Sequence, residues 1–154
     1  MAATNQKFSV ALHIMAGLAF YRERHITSAD LASTVNATPS VVRQVLSSLS
    51  KQGLVVTTEG RNGSCTLGRN PEQITLLDVY RAVDPPAVFA IHGYPVKPSC
   101  VVSSSIKQVT GDVLARAQQA FEVSLKKQSV ADLTNAIASH PVGERASQTR
   151  ASLC

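Results

Sequence analysis

Residues 38–67 read TPSVVRQVLSSLSKQGLVVTTEGRNGSCTL, and the punctuation of that stretch decides the fold. Thr38 is a favoured N-cap type, and Pro39 suits the first helical position, whose N–H has no intrahelical acceptor in any case. Val42, Val45, Leu46 and Leu49 recur at helical spacing and define a buried stripe, so Ser40, Val41, Arg43, Gln44 and Ser47 are directed elsewhere. Gly53 stops the helix. Leu54 and the β-branched run to Thr58 lead into Glu59-Gly60-Arg61-Asn62-Gly63, which is turn chemistry, and residues 64–67 can return as a second strand. A helix followed by a β-hairpin is therefore predicted.

Upstream, Phe8, Leu12, Met15, Ala16 and Ala19 recur at helical spacing, and Val10, Ala11, Ile14 and Leu18 widen that face until the helix is apolar nearly all round. Such a helix is expected to lie between the rest of its domain and a second copy of the chain. Thr27 or Ser28 can cap a short second helix, with Asp30 in its first turn and Leu31, Ala32 and Val35 on its buried side, ending near Asn36. Downstream, Ile74, Leu77, Val79, Tyr80 and Val83 resume a helical pattern that Asp84-Pro85-Pro86 ends. A loop to about residue 103 follows.

From residue 105 to 127, Ile106, Val109, Val113, Leu114, Ala117, Ala120, Phe121 and Leu125 recur in steps of mostly three and four. One stripe of that length exceeds what a small domain covers, so it predicts a dimerisation helix. Ser129 starts a last short helix to about residue 138. The fold class predicted is mainly α with a small β-hairpin wing. Its parts are a winged helix-turn-helix over residues 1–83, a sensing loop over 84–104, dimerisation helices over 105–139 and a disordered tail over 140–154.

The whole chain, 154 residues with 44% apolar and 5% aromatic side chains and no Trp, fits one compact domain plus an appended element, with Ala, Val and Leu filling the core. The net charge is +5, and the surplus is concentrated: residues 1–70 hold seven cations (Lys7, Arg22, Arg24, Arg43, Lys51, Arg61, Arg69) and three acids. An anionic partner is expected there. The longest mostly apolar stretch, residues 10–20, is too short for a bilayer, which needs about 20. No export signal is apparent, so the cytoplasm is the expected compartment. Paired carboxylates, a Ser/His/Asp arrangement and phosphate-binding glycine motifs are all missing from the sequence, so no enzyme is expected.

Helix, short turn, helix and hairpin on a basic half is the order of a winged helix-turn-helix, whose second helix enters the major groove of double-stranded DNA N-terminus first. Thr38 and Ser40 can then bond phosphate, Gln44 can pair with an adenine edge, and Arg43 can reach a phosphate or a guanine. Arg61 and Asn62 would sit at the wing tip. The expected DNA-contacting set is Lys7, Thr38, Pro39, Ser40, Val41, Arg43, Gln44, Ser47, Arg61 and Asn62. The alternative, which the agreement of cap, helix, glycine stop, hairpin and local charge disfavours, is that Ser40, Arg43 and Gln44 are an ordinary solvated face.

Residues 7–14 (KFSVALHI), residues 38–46, Leu49, Gly53-Leu54-Val55, the glycines at 60 and 63 and residues 74–83 (ITLLDVYRAV) together resemble the Rrf2 family of bacterial transcription regulators, over about residues 5–138. The resemblance implies a homodimer, expected to be a repressor, that binds a roughly palindromic operator and responds to redox state, nitric oxide, iron–sulfur status or a metabolite. Several members hold an iron–sulfur cluster on three cysteines in the loop before the long helix. Here that loop has Cys100 alone, with His92 eight residues earlier, so a cluster would need His92, His13 or a partner's acid as further ligands. No cofactor is expected.

The chain thus resembles the cluster-free members, in which a loop cysteine is the sensing thiol. Cys100 has Lys97 nearby and the start of the long helix beside it; a cation and a helix N-terminus both favour the thiolate that attacks oxidants and electrophiles. The bland alternative is a small buried hydrophobe beside Val101 and Val102. Cys65, in the returning wing strand where the family usually has an aromatic residue, would be a second redox site if it faces solvent. Cys154 is expected to be incidental. The odd number and wide spacing of Cys65, Cys100 and Cys154 argue against a disulfide framework. Glu59 stands where the family commonly has a basic residue, and Arg61 can substitute for it. An effector pocket lined by Phe89, Ile91 and Tyr94 remains a separate possibility.

Overall fold

The computed structural model describes residues 6–61 and 63–141. Helix α1 (Gln6–Phe20) buries Ala11, Ile14, Met15, Ala16, Leu18 and Ala19, the wide apolar face read from the sequence. It packs against α2 (Ser28–Val35), α3 (Pro39–Lys51), α4 (Leu76–Ala82), α6 (Val130–Ala138) and strand β2 (Cys65–Leu67). Helix α6 of the same chain thus covers part of the apolar surface of α1. At the start of α6, Val130 is fully buried in the common core, and its N–H donates to the Ile74 carbonyl at 2.9 Å.

The helix-turn-helix forms as its caps dictate. Thr27 precedes α2, and its hydroxyl accepts from the Asp30 N–H, while the Asp30 carboxylate accepts from the Thr27 N–H. Asn36 closes α2 in the left-handed region at φ 56°, a conformation Asn tolerates better than most residues. Pro39 opens α3, although the Thr38 side chain makes no capping hydrogen bond. At the far end, Gly53 adopts φ 67°; its N–H donates to the Ser50 carbonyl and that of Leu54 to the Leu49 carbonyl, the paired bonds that end a helix on a left-handed residue.

Strands β1 (Val55–Thr57) and β2 pair antiparallel, with Val55 opposite Leu67 and Thr57 opposite Cys65. The Cys65 N–H also donates to the Ile26 carbonyl at 2.7 Å, fastening the hairpin to the segment that leads into α2. A short 3₁₀ turn, Pro71–Gln73, precedes α4.

Helix α5 (Val101–Lys126) starts at Val101, within the stretch that the sequence assigned to the loop. It has no fully buried residue, and its stripe divides between two surroundings. Phe121 stacks edge-on against Tyr80 at 5.3 Å, and Tyr80 in turn against Phe8 at 5.2 Å, so that α5, α4 and α1 are joined by aromatic contacts. Leu125 packs on the common core. Leu114 and Ala117 are half-buried, whereas Ile106, Val109 and Val113 are exposed. The loop before α5 lies along it: Val88 N–H donates to Gln118 Oε1 and Lys107 Nζ to the Tyr94 carbonyl. The chain beyond residue 141, including Cys154 and most of the stretch expected to be disordered, lies outside the described residues.

The same reciprocal cap recurs at Thr75/Asp78 and Ser129/Asp132. Hydrogen bonds from Thr27 hold the Asp30 carboxyl below its ordinary value of 3.8, and those from Ser129 do the same to Asp132. A folded-state value below the unfolded one stabilises the fold above the unfolded pKa, and that stability is lost as pH falls through the folded value. Thr27→Ala is therefore expected to cost about 1 kcal/mol in urea denaturation at neutral pH. The difference from wild type should shrink as the pH falls below 3.8; a difference independent of pH would count against the cap.

Candidate nucleic-acid interface

Burial of Val42, Val45, Leu46 and Leu49 against the core turns the other side of α3 to solvent. Thr38, Pro39, Ser40, Val41, Arg43, Gln44 and Ser47 are all exposed. Beside this face lies a groove of about 860 Å³ between α3 and the wing. Arg43, Ser47, Ser50 and Lys51 line it from α3, Thr57 to Arg61 and Gly63 to Cys65 from the wing, and Thr27, Ser28 and Ala29 from the start of α2. Its charge is cationic on balance: Arg43, Lys51 and Arg61 against Glu59. Open to solvent and lined by hydroxyls and cations, it suits a phosphate-bearing strand rather than an enclosed metabolite.

The sequence-predicted residues divide accordingly. Arg43, Ser47 and Arg61 meet in the groove, while Ser40, Val41 and Gln44 belong to the exposed face of α3 outside it. Lys7 is exposed at the start of α1 and is not among the groove residues. Asn62 lies outside the described residues. Sequence reasoning missed the contribution of Ser28, Ala29, Ser50 and the Thr58/Ser64 pair, whose bonds close the wing turn: Ser64 N–H donates to Thr58 Oγ1 at 2.9 Å, and Thr58 N–H to the Ser64 carbonyl. Only the alternation of the hairpin hinted at these; no motif marks them.

The two described cysteines are unlike. Cys65 is 5% exposed and belongs to the core cluster; burial pushes its thiol up, and the Asp30 carboxylate adds to that. The condition that would have made it a solvent-facing redox site is not met. Cys100 is half-buried at the N-cap of α5, its N–H donating to the Lys97 carbonyl at 3.0 Å. As for iron, no three His, Cys, Asp or Glu side chains come together among the described residues, and Cys100 is the loop's single thiol. The donor set of one subunit does not fit a cluster. Phe89, Ile91 and Tyr94 are 46, 42 and 76% exposed, so the chain does not enclose a ligand with them. No helix among the described residues is long and apolar enough to cross a membrane.

Fold and groove together define a winged helix-turn-helix DNA-binding regulator. Residues 4–136 match the family described as Rrf2, iron-dependent transcriptional regulator, and the chain belongs to that family. The chain is 33% identical over 132 residues to the HTH-type transcriptional regulator YwnA of Bacillus subtilis, covering 85% of this chain and 96% of that one. A transcriptional regulator of Lactobacillus plantarum superposes with a TM-score of 0.76 at 25% identity, over 94% of this chain and 98% of that one. CymR, the global cysteine regulator of B. subtilis, shares the fold with a TM-score of 0.64 at 24% identity, over 88% and 98% of the two chains. The chain is accordingly a transcriptional regulator and not an enzyme.

Alkylation should separate the two thiols. Iodoacetamide is expected to label the Cys100 peptide of the native protein readily and the Cys65 peptide only after denaturation, as read by mass spectrometry. Equal native rates would contradict the burial of Cys65.

Proposed function

We propose that this regulator acts as a homodimeric repressor of a roughly palindromic operator, in the cytoplasm, with its DNA affinity changed by oxidation or modification of Cys100. The first turns of α3 read bases in the major groove, where Gln44 pairs with an adenine edge and Arg43 with a guanine or a phosphate. Arg61 and Asn62 bring the wing to the backbone or minor groove. Thr38, Pro39, Ser40, Val41 and Ser47 complete the helix contact, and Lys7 adds a distant cation. The observation that carries this reading is the exposed polar face of α3 beside a cationic groove.

Dimerisation is supported by what α5 leaves uncovered. Val102, Ile106, Val109, Val113, Ala120 and Val123 occupy heptad positions, with Arg116 at the one between Val113 and Ala120, and each is exposed. Pairing of two such stripes would hold two recognition helices about 34 Å apart, one turn of duplex. Of the earlier stripe, Ile106, Val109 and Val113 belong to this surface; Phe121 and Leu125 serve the chain's own packing, with Leu114 and Ala117 between.

Cys100 is favoured as the sensing thiol because it is the accessible one of the two described and stands at the junction of the loop and α5. Attack of its sulfur on hydrogen peroxide breaks the O–O bond, leaves one oxygen on the sulfur as the sulfenic acid and releases the other as water.

Gel-shift titration tests the switch. Reduced wild type is expected to bind its operator, and peroxide to weaken that binding at least about tenfold, or 1.4 kcal/mol. Cys100→Ser should bind equally with and without oxidant; an unchanged response in that variant would sink the proposed sensor. For the dimer, Val109→Glu is expected to shift sedimentation toward the monomer and to weaken operator binding, and an undisturbed dimer would place the interface elsewhere.

A further inference from the structure

We infer that Arg69 is a positioning residue for DNA recognition, clamping the wing to the end of the recognition helix instead of contacting phosphate itself. The inference rests on the helix-plus-wing reading above. Arg69 counts toward the basic surplus of the first half, yet its guanidinium is engaged: Nη2 donates to the Gln52 carbonyl at 3.0 Å. Gln52 is the C-cap of α3, and a carbonyl at a helix end lacks an intrahelical donor and carries part of the negative pole of the helix dipole. The neighbouring N–H groups of Gly53 and Leu54 are turned back to Ser50 and Leu49. A cation is what that carbonyl lacks, and Arg69 supplies it from seventeen residues away.

The backbone on either side makes the contact a hinge point. Gly68 N–H donates to the Leu54 carbonyl at 2.9 Å. A Cβ at Gly68 would fall 2.3 Å from the Gly53 carbonyl oxygen, so the strand leaving the wing and the turn entering it touch main chain to main chain. The hairpin therefore meets the end of α3 at Gln52 and Gly53 on one side and Gly68 and Arg69 on the other, while the Cys65–Ile26 bond fastens its return strand to the segment before α2.

Arg61 stands at the opposite end of this lever. Six residues of strand and turn lie between it and Gly68, a span of at most about 23 Å at roughly 3.3 Å per residue. A rotation of only about 5° at the base would carry the tip nearly 2 Å, more than the distance range of a hydrogen bond tolerates. Releasing the Arg69 clamp should thus cost the Arg61 contact without touching DNA at residue 69.

The test is a double-mutant cycle on Arg61→Ala and Arg69→Ala, measuring affinity against salt concentration for a duplex selected from a random-sequence pool by the wild-type protein. Each lysine or arginine that neutralises a phosphate contributes about 0.9 to the slope of log affinity against log salt. Arg69→Ala alone is expected to weaken binding several-fold and lower the slope by about one contact, and to change neither when added to Arg61→Ala. Loss of a second contact's worth of slope in the double variant would make Arg69 an independent phosphate ligand and overturn the inference. So would wild-type binding by Arg69→Ala. Backbone NMR order parameters of the DNA-free protein judge the clamp separately: they should fall across the wing in Arg69→Ala and stay high in α3, and an unchanged wing overturns it. If Arg61→Ala binds like wild type, the wing reading itself fails, and the inference about recognition fails with it, whatever the order parameters report.

Discussion

The exposed face of α3 and the groove beside it depend on where four aliphatic side chains go. Val42, Val45, Leu46 and Leu49 are buried to 4% exposure or less against the core built on α1. Burying each is worth about 2 kcal/mol, so no rotation of α3 that exposes them competes with the observed one. With that stripe fixed inward, Ser40, Arg43, Gln44 and Ser47 have no choice but to face outward. Pro39 sets where the helix begins and Gly53 where it ends, and the wing follows at once because the chain turns back on itself at that glycine.

The electrostatics are built on the same frame. Seven cations in the first 70 residues are a surplus in the sequence, but they have different employment in the fold. Arg43, Lys51 and Arg61 converge on the groove, whereas Arg24 lies over the Tyr21 ring and Arg69 bonds the end of α3. Glu59 enters the same groove, so the wing side presents a weaker positive field than the helix side. Counting charges locates the half of the chain that carries the cationic surplus; it does not say which of those cations line the groove.

Helix α5 shows how a single apolar pattern can serve two interfaces. Its increments of three and four look like one stripe, yet a helix touched from two sides needs apolar residues on both. Phe121 and Leu125 go to Tyr80 and the core, the loop covers the line through Lys107, Gly111 and Gln118, and the heptad from Val102 to Val123 is left open. The Arg81–Glu122 ion pair at 2.8 Å joins α5 to α4 beside the aromatic contact.

Local signals carried most of the elements. Caps, prolines, glycines and hydrophobic period act over a few residues, and so the helix-turn-helix, the hairpin, the starts of α2, α3 and α6 and the exposed face of α3 were legible in the chain. The burial of Cys65 was not, because a three-residue strand can present either face and its partner across the sheet layer, the segment at Ile26, is 39 residues away. Nor was the covering of α1 by α6, which requires the chain to return over its own first helix; an all-round apolar helix says only that it is covered, not by what. The sequence by itself determined which surfaces exist. Only tertiary contact, which sums interactions between residues remote along the chain, decided which of those surfaces remain free and which cations and thiols are already engaged.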